Sequence, residues 1–282
     1  MNPAEYSRMF ELEDRYWWFV SRRELVLNLV RRFLCVSNPL ILDVGCGTGA
    51  TAAALQTFGR VICVDFSPLA LEACHQRSLQ ELIQAEAEAI PLASGSVDVV
   101  VATDVLEHLE DDMVALREFH RILKPGGVAV ITVPAYQFLW SEHDEALMHK
   151  RRYHARQLAE RTARAGFQQV RLGYTLSLLF PLALGRLIKR DKREGKAPQA
   201  RIQSVPIWLN DALIRLQRVE TALFRYGTLP WGLSVVSVIQ KMHLTQLGMK
   251  NKGTGNENSD PGEVRVTVTH DASGSHGPVR AR

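Results

Sequence analysis

The stretch Leu40-Ile41-Leu42-Asp43-Val44-Gly45-Cys46-Gly47-Thr48-Gly49 decides how this chain is read. Its first five residues are almost wholly apolar, the pattern of a short strand buried on both faces of a parallel sheet. Three glycines at alternate positions follow, then an alanine-rich helix predicted over Thr51 to Phe58. A tight turn from a buried strand into a helix start exposes backbone N–H groups and the positive end of the helix dipole. Glycine suits such a turn because a side chain would block the close approach of a ligand. The spacing here is G-x-G-x-G, whereas dinucleotide-binding turns carry G-x-G-x-x-G.

Outward from that turn the chain alternates. Val61–Asp65, Val97–Ala102 and Val128–Val133 read as further buried strands, with a weaker one at Ile83–Gln84. Ser67-Pro68 is an N-cap and first helical position for a helix running to Leu82. Val114–Leu123 is a helix stopped by Lys124-Pro125-Gly126-Gly127, and Ala155–Ala165 is another. Such alternation predicts a parallel sheet with helices on both faces. Gln168–Tyr174 and Leu233–Gln240 complete a Rossmann-like α/β fold of seven mostly parallel strands. Between these last two lies a long helical insertion, with Leu209, Leu213, Leu216, Val219 and Leu223 on one helical face.

The expected organisation is therefore an N-terminal helical lid (1–39) with a helix over Glu11–Phe33, and a cofactor-binding core (40–175). The insertion (176–227), the last core strand (228–246) and a disordered tail (247–282) follow. The tail is rich in Gly, Asn, Ser and Asp, and Val264–Val268 within it alternates like an isolated strand.

At 282 residues, 46% hydrophobic and 23% charged, the chain has the balance of a soluble globular protein. A net charge of +4 is too small to argue for a nucleic-acid partner, and none is expected. The 4 cysteines form no C-x-x-C pair and have no histidine at ligand spacing, so no metal is expected. No signal-peptide layout is present, and Leu176–Ile188 is shorter than the roughly 20 apolar residues that span a bilayer. A cytoplasmic protein is expected. The apolar stretch around Leu178–Leu184, followed by Arg186, Lys189, Arg190, Lys192 and Arg193, predicts peripheral contact with the inner face of the membrane. The competing reading is a structural cap over an acceptor pocket, and monomer and homodimer both stay open.

Asp65 closes the second strand, where a carboxylate can accept both hydroxyls of a ribose. Gln84 to Pro91 precedes the third long strand, and Thr103-Asp104-Val105-Leu106-Glu107-His108 follows it, at the sheet edge where open α/β folds bind ligands. Together these motifs resemble the class I S-adenosylmethionine (SAM)-dependent methyltransferases, in particular the branch with the ubiquinone and menaquinone methyltransferases, over about Leu40 to Gly166. The resemblance implies that Asp43, Gly45, Cys46 and Gly47 hold the methionine part of SAM. It implies that Asp65 binds the ribose, Phe66 flanks the adenine, Glu86 bonds to the adenine amino group, Ala87 offers a backbone contact and Thr103 lines the methionine pocket. Glu86 stands where the family usually has Asp. Tyr16 to Arg23 is similar to a helix that closes over the cofactor in one bacterial subgroup associated with envelope glycan and lipid pathways. There Trp18 shields SAM and Arg22 faces its carboxylate.

His108 is one candidate general base and His143 another, since histidine titrates near neutrality. Some ubiquinone-type relatives bind a divalent ion through this segment, which would select Asp104, Glu107 and His108. Other relatives lack a metal there. Tyr136 and the segment Ser141 to Tyr153 follow a strand end and are expected to form the substrate wall. Arg151 and Arg152 would pair with an anionic group, and Tyr153 would position the acceptor. The acceptor is a small molecule, a lipid-linked group or a glycan, methylated on oxygen. A non-catalytic SAM-binding scaffold and an NAD(P)-dependent oxidoreductase are the alternatives.

Overall fold

A computed structural model of the chain describes residues 3–188 and 205–242. The expected tail, the alternating Val264–Val268 and the basic residues Lys189, Arg190, Lys192 and Arg193 lie outside the described residues, as does the side chain of Arg186.

The strands are β1 (Leu40–Val44), β2 (Arg60–Asp65), β3 (Leu82–Gln84), β4 (Val97–Thr103), β5 (Leu123–Pro134), β6 (Phe167–Thr175) and β7 (Ser234–Lys241). They form one seven-stranded sheet in the order β3-β2-β1-β4-β5-β7-β6. The first five pair in parallel, while β7 runs antiparallel to both β5 and β6. The order reverses between β1 and β4, and the crevice beyond their carboxyl ends is where such sheets bind ligands.

Both faces are covered because the side chains alternate. Leu42, Val44, Val100 and Ala102 pack with Leu116 and Phe119 of α5 (Asp112–Ile122) and Leu158 of α7 (Ala155–Arg164). Ile41, Val99 and Val101 pack with Val26 and Val30 of α2 (Trp17–Phe33) and Leu55 of α3 (Ala50–Leu55). Each fully buried Leu or Val of this kind contributes about 1.5–3 kcal/mol, so this double coverage is what holds the parallel strands.

Local differences from the sequence reading have tertiary causes. The N-terminal helix is two helices, α1 (Pro3–Leu12) and α2, separated at Glu13 to Tyr16. There Glu13 turns inward to receive the Thr48 hydroxyl and pairs with Arg77 at 2.9 Å. Helix α4 (Pro68–Gln76) stops well before Leu82, at a left-handed Ser78 (φ 63). Helix α5 does end before Lys124, but Lys124 to Gly127 are already the first part of β5, with Lys124 Nζ 2.8 Å from Asp98 across a register shift on β4.

The insertion contains α8 (Phe180–Ile188) and α9 (Ile207–Phe224). Asn210 of α9 accepts from the backbone N–H of Trp17 at 2.8 Å and donates to the carbonyl of Arg15 at 2.9 Å. Arg218 pairs with Glu24 of α2 at 2.6 Å. These contacts turn α9 away from its apolar stripe. The buried side chains are Gln217 and Phe224, while Val219 and Leu223 of the stripe stay exposed.

Candidate functional site

The turn after β1 takes up the backbone that its glycines allow. Gly45, Gly47 and Gly49 have φ of 65°, 53° and 86°. A Cβ on Gly45 would stand 2.5 Å from Val105 Cγ2, and one on Gly47 would stand 2.6 Å from Met9 Cε. Asp65 closes β2 and is 6% exposed. Its Oδ2 accepts from the Gly47 N–H at 3.0 Å and its Oδ1 from the Ser67 N–H at 2.9 Å, so one carboxylate ties the turn to the start of α4. Burial raises its pKa, against those two N–H groups.

Asp43 is the unusual member. It is 1% exposed and neither carboxylate oxygen has a hydrogen-bond partner. Burial pushes its carboxyl well above the ordinary range. A buried acid without a partner costs free energy unless something polar reaches it. Beside it the thiols of Cys46, Cys63 and Cys74 cluster under the turn, with Cys46 and Cys74 sulfurs 3.6 Å apart.

The other expected cofactor residues on the core lie at or just beyond the carboxyl ends of β2, β3 and β4. Phe66 is 62% exposed and Glu86 is exposed, while Ala87 is buried and Thr103, at the end of β4, is half-buried. Trp18 and Arg22 approach from α2, with the guanidinium 4.9 Å from the indole centroid. Arg22 is ion-paired with Asp104 and donates to Ser234 Oγ at 3.1 Å and Thr132 Oγ1 at 3.4 Å. Burial pulls its pKa down to about 10, so it stays charged at neutral pH. Sequence reasoning missed the first helix as part of this wall. Tyr6 is buried, Met9 touches the turn, and Arg77 lies over Phe10 at 4.6 Å while donating to the Thr48 carbonyl at 2.8 Å. No spacing rule connects Tyr6 or Met9 to a turn so far along the chain.

The segment expected to be a substrate wall is mostly turned inward. Arg152 is spent on Asp144, at 2.7 and 2.9 Å, and on the Ala135 carbonyl. Arg151 donates to the carbonyls of Leu109 and Glu110 and lies 3.8 Å from Asp112. Tyr153 is 0% exposed, its hydroxyl donating to Asp112 at 2.7 Å with the Leu106 carbonyl at 3.1 Å. These groups hold the loop to the sheet, while Arg151 and Arg152 each stay partly exposed. Tyr136 is buried at a φ of 56° and stacks on Tyr174, ring centroids 5.1 Å apart. His143, on the short helix α6 (Glu142–Ala146), is exposed. His108 is different: burial and the neighbouring His149 lower its pKa to about 4, so it is neutral and a weak base at pH 7. Burial pushes the adjacent Glu107 up to about 8.

A cleft opens between α2, α9 and the ends of β5, β6 and β7. Arg22, Thr132, Thr175, Ser234, Gln217 and Glu220 supply its polar lining, and Trp18, Leu25 and Phe224 its apolar one. The polar inner face of α9 is therefore the cleft wall. Only the fold brings Thr132, Ser234 and Gln217 together, since each is an unremarkable residue in its own segment.

A glycine turn, an acid at the end of the next strand and a sheet whose last strand is reversed define the class I methyltransferase fold. Residues 42–131 match the family described as Methyltransferase domain. A Mycobacterium tuberculosis protein named "Probable S-adenosylmethionine-dependent methyltransferase" is 31% identical over 166 residues, 57% of this chain and 59% of that protein. The chain thus spans less than two thirds of that relative's length. A SAM-dependent methyltransferase of Thermotoga maritima superposes with a TM-score of 0.54 at 20% identity, over 84% of this chain and 95% of its own. The [4+2]-cyclase SpnF shares the fold too, with a TM-score of 0.53 at 19% identity over 78% and 80% of the two chains. Residues 42–131 are thus similar to a methyltransferase domain, and the sheet has the fold of the solved methyltransferases on which it superposes.

Proposed function

We propose that this protein is a SAM-dependent methyltransferase of the ubiquinone and menaquinone type, acting on oxygen of a small-molecule or lipid-linked acceptor bound in the cleft under α9. The observation that carries the reading is the cradle around the turn after β1. There the buried, unpartnered Asp43 carboxyl, Asp65 at the end of β2 and the left-handed glycine backbone lie together at the carboxyl ends of β1 and β2. These groups suit a cofactor with a cationic amino-acid end and a ribose diol. SAM supplies a methyl group on a sulfonium, already a strong donor. Asp43 and the turn would hold its amino-acid end, with Arg22 opposite the carboxylate, and Asp65 would take the ribose. Phe66 and Glu86 would border the base, Ala87 would meet it through the backbone, and Trp18 would keep water away.

The chain's part in the chemistry is alignment and exclusion of water, which for a strong donor can supply much of the rate. Thr132, Ser234 and Gln217 would orient a polar acceptor group. His143 is the base candidate that keeps an exposed face. Large apolar side chains near the start of α9 and on α8 support a lipid-linked acceptor delivered at a membrane surface, with Ile207 82%, Trp208 71% and Leu182 67% exposed.

Calorimetric titration with SAM tests the reading. Removing two charge-assisted hydrogen bonds to the ribose, worth about 1.5–3 kcal/mol each, should weaken binding about 10²–10⁴-fold in Asp65→Ala. Unchanged affinity in that variant would refute the cofactor assignment. Labelled SAM incubated with envelope lipid and glycan fractions then reports the acceptor. Tight SAM binding with no labelled product in any fraction would replace the enzyme with a SAM-binding scaffold. The cyclase that shares this fold shows that the architecture admits other chemistry.

A further inference from the structure

Beneath the turn after β1 the chain gathers three of its 4 cysteines. Cys46 sits in the turn, Cys63 on β2 and Cys74 on α4, and their sulfurs all lie within 4.8 Å of one another. The Cys46 and Cys74 sulfurs are 3.6 Å apart, and Cys74 Sγ lies 3.4 Å from the Gly47 carbonyl. A Cβ on Gly49 would stand 2.8 Å from Cys74 Sγ, so the turn rests directly on this sulfur.

A buried free thiol ordinarily acts as a small apolar side chain. Here the three differ in freedom and in charge. Cys63 is fixed, because β2 pairs with β1 on one side and β3 on the other, and it is 0% exposed. Cys46 is 8% exposed, so solvent reaches the group from its side. It stands between Gly45 and Gly47, two residues with no side chain to anchor the backbone. Hydrogen bonds with Cys46 and Cys63 lower the pKa of Cys74, as does the charge of Arg77, with burial opposing them. The pKa values of Cys46 and Cys63 are raised by the same thiol contacts and by burial. A thiolate is the nucleophile in thiol oxidation, and of the three Cys74 forms it most readily.

We propose that Cys46 and Cys74 are a modification site, joined by a reversible disulfide when hydrogen peroxide oxidises the chain, and that the link closes the turn after β1 to its ligand. The Cys74 thiolate attacks one peroxide oxygen, the O–O bond breaks, and the departing hydroxide takes the proton of Cys46. The Cys46 sulfur then attacks the sulfur of the Cys74 sulfenic acid, the S–O bond breaks, and the second hydroxide takes a proton from solvent. The two sulfurs give up two electrons in forming the S–S bond, and the peroxide is reduced to two waters. Their separation must fall from 3.6 Å to about 2 Å. That approach draws Cys46 toward α4 and shifts the neighbouring Gly47 N–H, which is 3.0 Å from Asp65 in the reduced chain. Loss of SAM binding on closure rests on the function proposed above, whereas the disulfide rests on the sulfurs alone.

The test treats the full chain, first reduced with dithiothreitol and desalted, with hydrogen peroxide. Free-thiol titration and mass mapping of unreduced peptides follow the link, and calorimetry follows SAM. The expected result is loss of two thiols, one peptide pair joining Cys46 to Cys74, and SAM affinity lowered about 10-fold or more and restored by dithiothreitol. Cys74→Ser should bind SAM as the reduced native chain does, form no link and keep its affinity in peroxide. Cys63→Ala should still form the link. If circular dichroism shows that Cys74→Ser does not fold, Cys46→Ala carries the comparison of link formation. Absence of a link in the folded native chain, or a link made by Cys63 or Cys35 instead, would overturn the proposal. So would one zinc ion per chain, found by elemental analysis and lost in Cys74→Ser, which would make the trio a metal site. A link that leaves SAM affinity unchanged would refute the closure. A link formed in a chain that binds no SAM even when reduced would uphold the disulfide and refute the proposed function instead.

Discussion

Replacing Gly45 by alanine tests whether the turn after β1 is shaped by close packing or only by backbone freedom. Gly45 has a φ of 65°, and so does Gly95, on the surface turn before β4. An L-residue in that region costs about 1–2 kcal/mol at either site. The surroundings differ. A Cβ on Gly45 would meet Val105 Cγ2 at 2.5 Å, whereas nothing lies within 4 Å of one on Gly95. Val105 is 8% exposed and packed in the core, so it can retreat only by disturbing its neighbours. Overpacking of this kind costs about 1–3 kcal/mol. Gly95→Ala should therefore lose about 1–2 kcal/mol and Gly45→Ala about 2–5 kcal/mol. Urea denaturation at constant m-value measures both. Truncating the obstacle should relieve the strain, so Gly45→Ala and Val105→Ala should couple by about 0.5–3 kcal/mol in a double-mutant cycle, the pair being less damaging than the sum. Equal losses at Gly45 and Gly95, with no coupling to Val105, would refute the close approach of the turn to Val105.

Tyr153→Phe should destabilise the fold by about 1–3 kcal/mol, because it removes a buried donor from Asp112, and should leave SAM affinity unchanged. A variant of normal stability with a raised acceptor KM would return Tyr153 to the acceptor site. Burial raises the pKa of Glu13 above its usual 4.5, against Thr48 and Arg77. The stability linked to its protonated form is full below that usual value and is lost as pH rises through the higher folded one. Glu13→Gln should therefore gain on the native chain as pH rises above 4.5, in denaturation curves taken across pH. A pH-independent difference would show that Glu13 folds with its ordinary pKa. Substituting Asp for both Ile207 and Trp208 should abolish flotation with anionic phospholipid vesicles without changing SAM binding. Flotation equal to that of the native chain would remove α9 from any membrane contact.

The central strands and the glycine turn were legible because their causes are local. Five to seven apolar residues in a row can only be buried on both faces, and the glycines of the turn have φ of 53–86° that other residues resist. Asp65 was legible for the same reason, since a fixed strand and turn place it beside Gly47. The last two strands were legible as runs on either side of an insertion, but the reversal of β7 was not, because its direction is set by pairing with β5 and β6. Helix ends were less legible, because a distant partner set them. Glu13 leaves its helix for Thr48 and Arg77, and Lys124 extends β5 by reaching Asp98.

The loops between these elements were decided by what approached them. Arg151 and Arg152 look like anion-binding residues in the chain, yet they spend their donors on carbonyls and on Asp112 and Asp144. Helix α9 carries an apolar stripe, yet its bonds to α2 turn Gln217 inward to face the cleft. Cys74 comes beside Cys46 only when α4 packs under the turn after β1. The sequence by itself determined the sheet, the turn and the acid that closes β2, since backbone sterics and burial act over a few residues. Tertiary structure alone decided which charges pair inward, which wall the cleft presents and which thiols meet under the turn. Those outcomes depend on distances between segments that no local spacing encodes.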